Sequence, residues 1–359
     1  MTELSDLPLR DSLKGRQPYG APQLHVPVAL NVNENTHPLP QEVIDDIVAR
    51  IAQAATEINR YPDREFISLR EKLANYLGGS LGTNQIWAAN GSNEVIQQIF
   101  QAFGGPNRKA MGFEPTYSMY SIIAQGTDTE YVRAPRLDRF ELTPEFASAQ
   151  VRLHQPDIVM LCSPNNPTGT PISKDVIEAV YDATQGIVVV DEAYAEFAAS
   201  GSVSAISLLS GRPRLLVSRT MSKAFAFAGA RVGYLAADSA VVDALRLVRL
   251  PYHLSAFTQA AAEAALDHSK IMLAAVDEIK TQRDRLVVEL ADLGLDPYRS
   301  DANFVLFGGL ADPAAVWQAL LDRGVLIRNV GLDGTLRVTA GTEAETSAFL
   351  DALREVIHN

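Results

Sequence analysis

Three apolar runs, each closing on a polar cluster, restrict the folds open to this chain of 359 residues. Asp157-Ile-Val-Met-Leu-Cys162 runs into Ser163-Pro-Asn-Asn-Pro-Thr-Gly169. Gly186-Ile-Val-Val-Val190 ends on Asp191-Glu-Ala-Tyr194, and Leu215-Leu-Val217 leads through Ser218 and Arg219 to Thr220-Met-Ser-Lys223. Near-continuous apolar runs of this length read as strands covered on both faces, and such strands belong to parallel sheets. In open α/β sheets the ligand crevice lies beyond the carboxyl ends of the strands, so polar clusters at those ends predict a site there. The expected fold class is α/β, with a large domain built on a mostly parallel sheet.

The third run carries the chemistry. Lys223 sits among small and apolar residues, with hydroxyls at Thr220 and Ser222 and a guanidinium at Arg231. Taken alone, such a lysine reads as a surface loop residue. In a desolvated setting, however, the ammonium form is disfavoured and the neutral amine is a nucleophile. A lysine able to condense with an aldehyde, beside hydroxyls and an arginine suited to a phosphate, describes a site for pyridoxal 5'-phosphate. That cofactor withdraws electrons while its ring nitrogen stays protonated, and Asp191 at a strand end can hold that proton. Glu192, next along the strand, points to the other face and is expected to be a structural partner.

Asn166-Pro-Thr-Gly169, Asp191-Glu-Ala-Tyr194 and Ser222-Lys-Ala-Phe225, in that order, resemble the signature of the fold type I pyridoxal-phosphate-dependent aminotransferases. Within them the chain is most similar to the class II subgroup of histidinol-phosphate aminotransferases, from Leu7-Pro-Leu-Arg10 to the C-terminal helix. Each motif alone is weak; their joint order is specific. The resemblance implies that Lys223, Asp191 and Tyr194 are catalytic, with Tyr194 and Asn166 on the phenolic oxygen of the cofactor. It implies that Ser92 and Asn93, at the start of a helix, hold the phosphate with Thr220, Ser222 and Arg231. Tyr117 would lie over the ring, and Tyr61 would reach the phosphate of a partner subunit. Arg337 would clamp the substrate anion, Arg328 a second one, with Tyr19, Tyr252 and Asn93 nearby. Each has a plainer reading as well: capping for Ser92, Asn93 and Asp191, turn chemistry for Asn166, core or loop packing for the tyrosines, strand-edge charge for the arginines. Asn31-Val-Asn-Glu-Asn35 resembles the turn near the substrate entrance and reads equally as an Asn-rich turn.

The rest of the chain organises around that site. Residues 1–40 hold six prolines and little helical periodicity, and read as an N-terminal arm. Residues 41–257 form the large domain, in which Val43, Ile44, Ile47, Val48 and Ile51 mark an amphipathic helix. An Ala-rich helix over 258–293 is expected to connect to a smaller α+β domain over 294–359, with short strands around Phe304, Val325 and Leu336.

A net charge of −12 argues against nucleic acid and anionic membranes as partners, so any anionic substrate is held by local arginines. The lone Cys162 rules out an internal disulfide and suits a reducing compartment. With no apolar signal core at the N-terminus and no apolar run of membrane-spanning length, a cytoplasmic enzyme is expected, and no metal is called for. Its partners are a small-molecule amino donor and an oxo acceptor, and the resemblance implies a homodimer with sites completed across the interface. Histidinol phosphate with 2-oxoglutarate, in histidine biosynthesis, is the first substrate pair. An aromatic amino-acid aminotransferase comes second, and a non-catalytic module that binds an effector third.

Overall fold

The computed structural model describes residues 6–18, 20, 22–78 and 80–358. The three apolar runs become adjacent parallel strands, Ile158–Cys162, Ile187–Asp191 and Leu215–Thr220, in a seven-stranded sheet. Lys109–Glu114 and Glu130–Pro135 extend it in parallel on one side. On the other side Val232–Ala236 lies antiparallel to both of its neighbours, Leu215–Thr220 and Ile86–Asn90. The sheet is therefore mostly parallel, with one reversed strand. Ile158–Cys162 is buried along its whole length, as its unbroken apolar character requires.

Helices cover both faces. Lys174–Ala183 starts where the Ser173 hydroxyl accepts from the Val176 amide at 3.4 Å, and it packs on Pro144–His154. The amphipathic helix expected from residue 41 spans Gln41–Ala55. Asp63 starts the next helix, Ile67–Leu77, with one carboxylate oxygen on the Ile67 amide at 2.9 Å.

The single helix expected over 258–293 is three: Ala256–Asp267, Ser269–Met272 and Val276–Asp292. The second break has a packing reason. Ala261, Ala262, Ala265, Leu266 and Met272 belong to the core under the large sheet, whereas Val276, Ile279, Leu286 and Leu290 belong to a second core. A straight helix cannot face both. The chain changes cores between Met272 and Val276.

The second core is built on a three-stranded antiparallel sheet, with Phe304–Gly308 between Leu336–Thr339 and Asp296–Pro297. The helices Pro313–Asp322 and Glu343–His358 accompany it. The proline-rich arm does not stay apart from this unit. Val28–Ala29 pairs in parallel with Val325–Leu326, and Arg10 and Ser12 bond Asp128 of the large domain. The segment after Ala29 is thereby delivered to the junction between the two cores.

Candidate active site

A cleft of about 260 Å³ lies at that junction, beyond the carboxyl ends of the parallel strands. Ser92, Asn93, Thr220, Ser222 and Arg231 gather at one end of it. The helix Ser92–Phe103 is entered through Gly91 at φ +86°, so neither Ser92 nor Asn93 caps it. Both are first-turn residues, whose amides take no partner within the helix and form an anion site. Two glycines make the cradle possible. A Cβ on Gly91 would stand 2.4 Å from Arg231 Nη2, and one on Gly233 would stand 2.1 Å from the Ser92 nitrogen. Arg231 can therefore lie across the helix start, donating to the Ala228 carbonyl at 3.1 Å and toward Ser222 Oγ at 3.4 Å. Thr220 lines the cleft, but its hydroxyl serves the strand end: it accepts from the Ser222 amide at 3.1 Å and reaches the Val232 carbonyl at 3.2 Å.

At the cleft centre stand Lys223, Asp191, Tyr194, Asn166 and Tyr117. Lys223 Nζ donates to the Val32 carbonyl at 3.0 Å. Burial pulls its pKa down to about 8, helped by the Arg337 and Arg231 charges and opposed by Glu34. Asp191 is buried, and burial raises its pKa to about 6 against the hydrogen bond from Tyr120. Tyr120 donates to Asp191 Oδ2 at 2.7 Å, while Oδ1 is buried with no partner among the described residues. Glu192 faces the other way, where it accepts from Arg219 at 2.8 Å and from the Ala205 amide at 2.6 Å. Cys162 also borders the cleft, but burial pushes its thiol up to about 12, so it stays protonated and unreactive.

Tyr194 joins the two cores. Its hydroxyl accepts from Asn33 Nδ2 at 3.0 Å and from Asn166 Nδ2 at 3.5 Å. Asn166 Oδ1 in turn accepts from Arg337 Nη1 at 2.5 Å, and Arg337 Nη2 donates to the Asn31 carbonyl at 3.0 Å. Arg337 is no strand-edge charge: it is buried, with its guanidinium carbon 5.0 Å from the Phe304 ring centroid. Arg328 pairs with it through reciprocal backbone bonds of 2.9 Å, so both side chains border one cleft.

The chain matches the family model "Aminotransferase class I and II" over residues 26–353. It belongs to that family. The histidinol-phosphate aminotransferase of Paenarthrobacter aurescens is 63% identical over 99% of this chain and 97% of its own. That of Mycolicibacterium smegmatis is 55% identical over 98% and 94%. Among solved structures, histidinol-phosphate aminotransferase from Sinorhizobium meliloti in complex with pyridoxal-5'-phosphate matches at a TM-score of 0.82 and 27% identity, covering 93% of this chain and 91% of that one.

The donor set of this aminotransferase fits that cofactor. The unpartnered Asp191 Oδ1 needs a donor, which a protonated ring nitrogen supplies. The helix start with Arg231 suits a phosphate. Tyr117, bonded to Asn93 Oδ1 at 3.2 Å and set edge-on to Tyr120, walls the space between them.

Two of the expected site residues lie outside this chain's own cleft, Tyr61 having been expected at a partner's. Tyr61 and Tyr252 do not line it; they stack on one another at 4.3 Å, with Tyr61 78% exposed. Tyr19 lies outside the described residues. Conversely, the sequence placed Val32 and Asn33 only within the 31–35 turn, with no role of their own, and did not distinguish Tyr120. The alternation of asparagines at 31, 33 and 35 was the visible signal for Asn33, but a turn explains that spacing just as well. Tyr120 stands three residues past Tyr117, and only packing distinguishes the roles of the two rings.

Proposed function

We propose that this aminotransferase uses pyridoxal 5'-phosphate to exchange an amino group between histidinol phosphate and 2-oxoglutarate, through imidazole acetol phosphate and glutamate, in histidine biosynthesis. The observation that carries the reading is the pairing, in one cleft, of a lysine pulled down to about 8 with a buried carboxylate oxygen that has no partner among the described residues. When bound, the cofactor supplies an electron-withdrawing ring beside the substrate carbon. Asp191 holds the ring proton. Lys223, neutral in an appreciable fraction near pH 8, is the group placed to take a proton from the substrate carbon and return it. Tyr194 and Asn166 present their polar atoms beside it.

Substrate choice falls to the arginines. Histidinol phosphate carries a phosphate and no α-carboxylate, whereas glutamate carries two carboxylates, so one pocket must accept different anions. Arg337 and Arg328, backbone-paired and bordering the same cleft, supply two cationic donors for that purpose. The test is a panel of histidinol phosphate, phenylalanine, tyrosine and glutamate. The expected result is a higher kcat/KM for histidinol phosphate than for phenylalanine; a ratio below one replaces this reading with an aromatic aminotransferase.

The same proposal makes the enzyme a cytoplasmic homodimer. Ile58, Tyr61, Ile67, Leu247, Leu250, Tyr252 and Phe257 are exposed apolar residues on two segments joined by the Tyr61–Tyr252 stack and by Arg249 on the Arg64 carbonyl. An apolar patch of this kind suits burial against a second copy, from which Tyr61 would reach the partner's phosphate site. Among the described residues no helix is long and apolar enough to cross a membrane.

A further inference from the structure

Asn33 occupies the point where the N-terminal segment, the small domain and the large domain meet, and each of its polar atoms is committed. Its backbone amide donates to Thr339 Oγ1 at 3.1 Å, and its carbonyl accepts from Asn303 Nδ2 at 3.1 Å. Its side-chain oxygen accepts from Thr339 Oγ1 at 3.3 Å, and Nδ2 donates to Tyr194 at 3.0 Å. The direction of the last bond is not arbitrary. The Thr339 hydroxyl accepts from the Asn33 backbone amide and gives its own proton to Asn33 Oδ1. The amide is therefore held with its NH2 toward Tyr194. The backbone sits at φ +57°, a conformation that asparagine tolerates better than most side chains.

Tyr194 has one proton as well. Both of its neighbours, Asn33 Nδ2 and Asn166 Nδ2, are donors, and the Asn166 oxygen is taken by Arg337. Among the described residues the Tyr194 proton has no acceptor. It is left to point into the cleft.

We propose that Asn33 is a positioning residue that makes Tyr194 a hydrogen-bond donor toward the cleft, and so toward the phenolic oxygen of the bound cofactor. The inference rests on the pyridoxal-phosphate reading above and deepens it. A donor on that oxygen draws negative charge away from the neighbouring nitrogen that Lys223 contributes, and so lowers the pH at which that nitrogen gives up its proton. Asn33 acts only through Tyr194. Its main-chain bonds to Thr339 and Asn303 tie this setting to the small domain that carries Arg337.

The experiment is a pH titration of the visible absorption of the holoenzyme, together with its dissociation constant for pyridoxal phosphate. Asn33→Gly suits the positive φ, keeps both main-chain bonds and removes only the amide. It should raise the titration midpoint by roughly half a unit to one unit, the size of one hydrogen bond. Tyr194→Phe should raise it further, and adding Asn33→Gly to Tyr194→Phe should change nothing more. Thr339→Val, which removes the hydroxyl that orients the amide, should give a smaller rise. An unchanged midpoint in Asn33→Gly, or full additivity with Tyr194→Phe, overturns the role of Asn33 while leaving the cofactor reading intact. A wild-type chain that takes up no pyridoxal phosphate overturns the cofactor reading itself, and this inference with it.

Discussion

The two walls of the cleft are built in opposite ways. On the sheet side, the backbone that carries Asp191 and Thr220 is held by main-chain bonds: Ser163 N to Asp191 O at 2.9 Å, Glu192 N to Ser218 O at 2.8 Å, and Met221 N to Val232 O at 3.0 Å. Changing a side chain there removes chemistry and leaves the frame. On the opposite side, residues 31–35 belong to no helix or strand and are held largely by side chains: Asn31 Nδ2 on the Pro22 carbonyl, Asn33 on Tyr194 and Thr339, Asn35 Nδ2 on the Ala224 carbonyl, and Arg337 on the Asn31 carbonyl. Changing a side chain there removes frame and chemistry together. A strand end holds its side chains in place through the backbone, whereas the loop on the opposite side and its neighbours hold one another through side chains.

The largest expected effect tests the sheet wall. Lys223→Ala should still take up pyridoxal phosphate, because the helix start, Arg231 and Asp191 remain, but turnover should fall by roughly a thousandfold or more. Borohydride reduction of the wild type should abolish the visible band and fix the cofactor on Lys223 by peptide mapping. A label on another lysine would show that the reacting amine is misassigned.

The next effect tests the opposite wall. Arg337→Ala should lower kcat/KM by well over about tenfold, since losing a buried charged contact costs on the order of 2–5 kcal/mol. It also strips the donors from Asn166 Oδ1 and the Asn31 carbonyl, so its Tm should drop by roughly 2–5 °C. Lys223→Ala, which removes only the one bond to the Val32 carbonyl, should show a smaller drop. Equal Tm losses in the two variants would erase the distinction between the walls.

A smaller effect asks whether the site has a third wall from a partner. Mixing Lys223→Ala chains with Tyr61→Phe chains should restore about half of the wild-type activity in the mixed dimer, because one of the two sites then has both groups. No recovery above the parent proteins means that Tyr61 acts within its own chain or not at all.

The smallest effect is on stability. In the cofactor-free chain Lys223 titrates near 8, below its unfolded value of 10.5, so the folded state binds fewer protons between those values. Stability then rises with pH across that window, by on the order of 1–3 kcal/mol. The difference between wild type and Lys223→Met in urea melts isolates it. A difference that stays flat from pH 8 to 10.5 means that the amine is not desolvated.

The sheet wall was legible in the sequence because the information there is local. An apolar run specifies a buried strand, the residue after it must emerge at the strand end, and Asp191, Asn166 and Lys223 are each fixed by their distance from such a run. The same reasoning turned Glu192 away from the cleft, where it meets Arg219. Arg337 and Arg328 were found through likeness to a family, not through any period of their own.

What only the tertiary structure decided are the contacts between segments far apart in the chain. Asn33 reaches Tyr194 and Thr339 across 161 and 306 residues, and Tyr120 reaches Asp191 across 71. No spacing rule links such pairs: Asn33 meets Tyr194 where the two cores adjoin, and Tyr120 meets Asp191 within the packing of the large sheet. The break between Met272 and Val276 has the same origin, since helix propensity alone favours continuing where the change of core requires a turn. The chain's sequence by itself determined which strand ends carry the polar clusters that line the cleft, because burial and strand length act over a few residues. The tertiary structure decided which atoms those groups face, because a hydrogen-bond partner is chosen by position in space.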